Sequence, residues 1–217
     1  MSLEIAALIV SLPNRHVLLD EAVKSVYHQT RQPDHLLIGV DYAGEQGGVG
    51  EVANMNRLID AALDSASVID DDLILAFLHD DDIWAPLHLQ RAVDLLEQGH
   101  EVAVARCTTT GGRPPLVRRC ADEVRARGGD PRVDFSDLMR DNWFAPSMVV
   151  ARASAFDHWT PATAPPADAL PGSGVWVDWS NWRRLQEAGV SFVDTEANTV
   201  FYRFGPWNEG RSWSSPS

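Results

Sequence analysis

Three carboxylates stand in a row at Asp80-Asp81-Asp82, directly behind His79 and the apolar run Leu73-Ile74-Leu75-Ala76-Phe77-Leu78. Adjacent carboxylates repel one another, and a hard divalent cation such as Mn²⁺ or Mg²⁺ relieves the repulsion. Asp80, Asp81 and Asp82 are therefore candidate metal ligands. The competing reading is a solvated acidic turn that caps the helix starting near Pro86, since carboxylates suit a helix N-terminus. A second acid, Asp178, sits among Trp176, Trp179 and Trp182 at the start of a helical pattern. Partial desolvation there would raise its pKa toward the range of a general base, whereas a nearby dication would lower it. Its competing reading is an ordinary acid in the first turn of a helix.

The elements that must position these residues follow from periodicity. Six apolar residues are the length of one strand buried on both faces, which brings the triplet out at the carboxyl end, where open α/β sheets bind ligands. Before it, Ile5 to Leu12 predicts a first strand ending at Pro13-Asn14-Arg15. Leu18 to Gln29 predicts a helix with Leu19, Ala22, Val23 and Val26 on one face, and Leu36 to Val40 a second strand ending in Asp41-Tyr42. Strand, helix and strand in about forty residues make a right-handed βαβ unit with parallel strands. Asn14 and Asp41 then share one sheet edge with the triplet.

The glycines from Gly44 to Gly50 form neither a dinucleotide fingerprint nor a P-loop, so this stretch is expected to be a plain connection. Met55, Leu58, Ile59, Ala62 and Leu63 mark a second helix. The earlier triplet Asp70-Asp71-Asp72 precedes the central strand, and on topology it is a solvated turn. Leu87 to Gln98 predicts a helix stopped by Gly99, Val102 to Ala105 a strand, Val133 to Met139 a short helix and Ser147 to Val150 a strand. Residues 160–174, rich in Pro, Ala and Gly, are expected to be either an irregular active-site loop or a disordered insertion. A last helix runs to Ala188 and stops at Gly189.

Composition bounds the class. The 217 residues are 45% hydrophobic, enough for one core, and a single domain over 1–210 with a frayed tail at 211–217 is expected. With 18 Lys+Arg against 31 Asp+Glu the net charge is −13, which disfavours duplex nucleic acid as a partner. Two cysteines, Cys107 and Cys120, provide neither a disulfide framework nor a four-ligand zinc site. No signal peptide or membrane-spanning run is legible, and the expectation is a cytoplasmic protein.

Taken in order, Pro13-Asn14-Arg15, Gln29-Thr30, Asp41, Asp80-Asp81-Asp82-Ile83-Trp84-Ala85-Pro86 and Asp178-Trp179 resemble an inverting family 2 glycosyltransferase with a GT-A fold. The resemblance runs from Ile5 to about Arg203. It implies an α/β, Rossmann-like domain with a central, mostly parallel sheet flanked by helices. It also implies a nucleoside diphosphate sugar donor and a Mn²⁺ or Mg²⁺ cofactor held by an Asp-x-Asp motif. The acceptor would be a hydroxyl of a protein, glycan or lipid-linked sugar. By this resemblance Pro13, Asn14, Arg15, Asp41 and Tyr42 serve the nucleotide, Asp80 the ribose or metal, and Asp81 and Asp82 the metal. Asp178 would be the catalytic base, and Arg203 would lie beside the diphosphate. Three positions depart from the family pattern: His79 stands for its first acid, Tyr42 for its base-contacting Asp, and Val177 for the Glu of its Glu-Asp pair. Two other functions share these residues. One is a non-catalytic sugar- or nucleotide-binding module of the same fold, and the other is a metal-dependent nucleotidyl or phosphoryl transferase.

Overall fold

The computed structural model describes residues 3–40, 50–69, 71–109, 145–158 and 177–203. Its strands are β1 (Glu4–Ser11), β2 (His35–Val40), β3 (Leu73–His79), β4 (Ile83–Trp84), β5 (Val102–Thr109), β6 (Val149–Arg152) and β7 (Phe192–Tyr202). Its helices are α1 (His16–Tyr27), α2 (Gly50–Ser65), α3 (His88–Leu96) and α4 (Val177–Glu187), with 3₁₀ turns at Pro146–Met148 and Ala153–His158. The strands form one sheet in the order β2-β1-β3-β6-β5-β7-β4.

β1 lies between β2 and β3 and is parallel to both, so the expected βαβ unit is present. The chain moves one way across the sheet through α1 and the other way through α2. Right-handed crossovers then place these helices on opposite faces, and the switch in direction lies at the carboxyl ends of β1 and β3. Burial on both faces explains why β1 and the first six residues of β3 are apolar or small along nearly their whole length. β5 and β7 are also parallel, whereas β6 runs antiparallel between β3 and β5, and β4 runs antiparallel to β7. The sheet is thus mixed, with helices packed against it.

Most expected elements lie within two or three residues of their predicted bounds. The strand expected at Ser147 to Val150 begins as a 3₁₀ turn at Pro146 and becomes β6 only at Val149. β5 continues beyond Ala105 to Thr109. β4 and β7 have no counterpart among the expected elements. In β7, Asp194 pairs with Val104 and Asn198 with Arg106, so β7 carries two extra residues between these points. Glu196 adopts φ 56° in this bulge, which bends the strand. Asp194 holds the bulge by accepting from Arg106 Nε at 3.0 Å, Arg106 Nη2 at 2.7 Å and the Glu196 amide at 2.7 Å. Past the bend, β7 pairs with β4 and ends at the acid triplet. The helix expected near 133–139, the loop at 160–174 and the tail at 211–217 lie outside the described residues. Among the described residues no helix is long and apolar enough to cross a membrane.

Candidate functional site

The turn at Asp80–Asp82 is not a solvated helix cap. Asp80, Asp81 and Asp82 are only 2%, 7% and 1% exposed, and α3 starts at His88 with no acid in its first turn and no side-chain cap. Three buried carboxylates need partners, and the chain supplies them unevenly.

Asp80 takes three donors from the end of β1 and the loop after it. Its Oδ2 accepts from Ser11 Oγ at 2.7 Å and from the Leu12 amide at 3.2 Å, and its Oδ1 accepts from Arg15 Nη1 at 3.0 Å. The same guanidinium nitrogen reaches Asp81 Oδ2 at 3.2 Å. Arg15, Asn14, Leu12, Val17 and Leu18 line an open groove beside these acids, and Pro13 and Asn14 are exposed at its turn.

Arg203 straps the triplet from the other side. Its amide donates to Asp82 Oδ1 at 3.2 Å, its Nε to the Asp81 carbonyl and its Nη2 to the Asp80 carbonyl at 3.4 Å, while Nη1 pairs with Glu21 of α1. Asp82 Oδ2 has no hydrogen-bond partner. Burial, and next the charge of Asp81, push the Asp82 carboxyl up to about 7, against the opposing effects of His79, Ser147 and the Arg203 amide.

One ligand atom each from His79, Asp81 and Asp82 lie within 4.8 Å of one another, so these three residues can hold a metal ion. His79 ends β3, and its amide donates to Ser147 Oγ at 3.0 Å. Around the turn, Asp80 and Asp81 pair with the Arg15 guanidinium, Glu21 pairs with that of Arg203, and Asp82 accepts from the Arg203 amide, so four carboxylates are set against two guanidiniums. With all four ionised, two negative charges are in surplus, the charge a dication would neutralise.

The segment behind the triplet is braced from within. Trp84 is buried, donates from Nε1 to the Ser147 carbonyl at 2.9 Å and stacks on His88 at 4.5 Å. His88 Nδ1 lies 2.9 Å from Thr199 Oγ1, and burial drives its pKa down to about 3. Gln29 Nε2 donates to the Ala85 carbonyl at 2.9 Å and its Oε1 accepts from the Leu89 amide at 3.0 Å. Thr30 donates its amide to the Pro86 carbonyl at 2.8 Å. The Gln29-Thr30 pair thereby ties the end of α1 to Trp84-Ala85-Pro86.

Of the residues singled out from sequence, the structure brings Pro13, Asn14, Arg15, Asp80, Asp81, Asp82 and Arg203 to one end of the sheet. Asp80 faces Arg15 and the β1 loop, apart from the set formed by His79, Asp81 and Asp82. Arg203 lies on the carbonyls of the acid turn. Asp41 and Tyr42 lie outside the described residues, although Val40 before them is level with Ser11. Asp178 occupies the first turn of α4, and its side chain is outside the described set. Ser11, Glu21, His79 and Ser147 were not singled out as site residues. The register of β1 against β3 could have found Ser11, which follows the partner of His79 as Asp80 follows His79 itself.

No family model matches this chain, and no curated protein matches it significantly. Solved structures do. S. aureus TarS 1–349 in complex with UDP-GlcNAc aligns with 100% of this chain at TM-score 0.58 and 14% identity, over 62% of its own chain. Glucosyl-3-phosphoglycerate synthase from Mycobacterium tuberculosis, in complex with Mn²⁺, UDP-glucose and phosphoglyceric acid, aligns with 95% of this chain at TM-score 0.54 and 16% identity, over 74% of its own. The chain spans about three fifths of the length of the TarS 1–349 structures. At such identities the likeness is one of fold, and the fold is GT-A.

Proposed function

We propose that this chain is a metal-dependent glycosyltransferase that moves a sugar from a nucleoside diphosphate sugar to a hydroxyl acceptor with inversion at the anomeric carbon. The observation that carries this reading is the convergence of His79, Asp81 and Asp82 at the sheet's switch point, beside the groove from Leu12 to Leu18, in a GT-A fold. Both solved neighbours are complexes with a UDP-sugar, and one also contains Mn²⁺.

The residues fit a dication: the turn has a surplus of negative charge, and Asp82 Oδ2 is buried without a donor. Bound there, Mn²⁺ or Mg²⁺ would supply Lewis-acid charge at the departing diphosphate. The protein's own residues do the rest. Asn14 lines the groove that takes the nucleoside and Pro13 precedes it in the same turn, with Asp41 and Tyr42, next after β2 in the sequence, assigned to the same nucleoside. Asp80, held by Ser11 and Arg15, offers the ribose a fixed acceptor, and Arg15 orients Asp81. Arg203 keeps the acid turn in place from the opposite side.

Inversion requires a base on the sugar face opposite the diphosphate, and Asp178 is assigned that role. Asn181, Trp182 and Leu185, which follow Asp178 in α4, are buried. α4 packs on the Ala153–His158 turn, whose Phe156 lies 5.3 Å from Phe77 of β3.

Titrating Mn²⁺ and a panel of nucleotides against the purified protein tests the reading. Metal-dependent binding of a nucleoside diphosphate is expected, and its absence defeats the proposal. Asp178→Asn should keep that binding and slow transfer by about 10²–10⁴-fold. Transfer at the wild-type rate would remove Asp178 from the mechanism. A protein that binds donor but neither transfers nor hydrolyses it would be a binding module, the reading that His79 and Val177 in place of acids favour.

A further inference from the structure

We propose that His79 is a nitrogen ligand of the cation, so that the site selects first-row transition ions such as Mn²⁺ over Mg²⁺. The inference rests on the metal site of the proposed function and decides which class of ion it takes. Its ground is the division of labour among the acids. Asp80 has three donors on its two oxygens, from the end of β1 and the loop after it, and is not one of the three residues whose ligand atoms cluster. That leaves two carboxylates, Asp81 and Asp82, and the third ligand atom within 4.8 Å is an imidazole nitrogen.

An independent observation points to a ligand at the same spot: Asp82 is 1% exposed, and its Oδ2 has no hydrogen-bond partner. Cations with bonds of about 2.1 Å hold opposite ligands about 4.2 Å apart, so a small rotation of one side chain closes the set. His79 is well placed to keep its position, because it ends the central strand and its amide is fixed to Ser147 Oγ at 3.0 Å.

The chemistry of the donor set gives the selectivity. Mg²⁺ prefers oxygen ligands and parts reluctantly with its waters, whereas Mn²⁺, though also hard, is a first-row transition ion that accepts a nitrogen ligand more readily than Mg²⁺ does, and Co²⁺ and Zn²⁺ more readily still. Replacing a carboxylate by a neutral ring also removes one negative charge from the set. A hard cation loses more by that exchange than a softer one.

The test uses the full chain, with and without UDP, and follows Mn²⁺ binding by electron paramagnetic resonance with Mg²⁺ as competitor. The wild type should prefer Mn²⁺ by at least about tenfold, and pulsed spectra should show coupling of the manganese to a ¹⁴N nucleus. In His79→Asp the coupling should vanish and the preference narrow severalfold. His79→Asn should lose Mn²⁺ affinity by more than about 100-fold, beyond the 10–100-fold typical of residues behind the ligands, with circular dichroism confirming that both variants are folded. Mn²⁺ binding without nitrogen coupling, and with the same preference in both variants, overturns this inference and leaves the metal-dependent reading standing. Failure of the wild type to bind either ion overturns both.

Discussion

The central strand has an acid triplet at each end, and the two have opposite fates. At its amino end Asp71 is exposed and Asp72 half-buried, and the Asp72 carbonyl accepts from the Glu4 amide of β1 while the Asp72 amide donates to the Ile69 carbonyl. At its carboxyl end all three side chains are buried, one is consumed by Arg15 and Ser11, and one oxygen of Asp82 has no partner. Each turn is also strapped by an arginine through backbone carbonyls: Arg152 reaches the Asp71 carbonyl, and Arg203 reaches those of Asp80 and Asp81. An arginine at an acid turn is therefore no sign of phosphate chemistry in this molecule. The distinction lies in the carboxylates, since burial without neutralisation is costly and persists where a ligand completes the site.

The largest contrast is expected between the triplets themselves. Asp81→Asn and Asp82→Asn should each lower metal-dependent nucleotide binding by more than about 100-fold, as direct ligands exceed the 10–100-fold typical of residues behind them. Asp71→Asn and Asp72→Asn should leave it unchanged, with stability within about 0.5 kcal/mol. Calorimetric titration of the four variants decides it, and equal effects at both ends would erase the distinction.

The straps come next. Arg203→Ala removes donors from two carbonyls and the partner of Glu21, and should cost about 1–3 kcal/mol of stability in urea unfolding. It should also weaken nucleotide binding, because the turn it holds includes two proposed ligands. Arg152→Ala removes donors from the Asp71, Leu96 and His100 carbonyls, and should lower stability with no change in binding.

How far this contrast was legible depended on the kind of residue. The apolar runs of β1 and β3 announced buried parallel strands, and their carboxyl ends put the second triplet where ligands bind. The direction of each carboxylate was not legible, because three adjacent acids look alike until the β1 loop engages one of them. β7 was missed because Asp194-Thr195-Glu196-Ala197-Asn198-Thr199 reads as a polar loop. Its acid is buried against Arg106, a pairing that also hid the last residues of β5. β4 has only two residues, too few for any periodicity. Distant partners fixed all of these, and local pattern does not record them.

His88 tests the brace behind the functional triplet. Its folded pKa of about 3 lies below the unfolded value near 6.5, so the fold holds it neutral while the unfolded chain gains a proton. Its contribution is complete above pH 6.5 and is lost toward pH 3, at about 1.4 kcal/mol per pH unit. His88→Gln should be less stable than wild type at pH 7.5 and lose stability less steeply on acidification. The difference between the two urea midpoints should therefore shrink from pH 6.5 downward, and a constant difference would place the acid sensitivity elsewhere.

The smallest effect belongs to the amino end, where Glu4 supplies the chemistry that Asp71 and Asp72 do not. Its carboxylate accepts from the Ser67 amide and hydroxyl and lies 2.6 Å from His35 Nε2. The Ser67 hydroxyl first, and then His35, hold its pKa below the ordinary carboxylate value of 4.5. A lowered folded pKa means that this contribution is present above about pH 4.5 and disappears as pH falls through the folded value. Glu4→Gln should thus flatten the stability profile below pH 4.5 and leave nucleotide binding at neutral pH untouched. A change in binding would mean that the amino end of the sheet communicates with the site. The two ends of the central strand would then have to be treated as one unit.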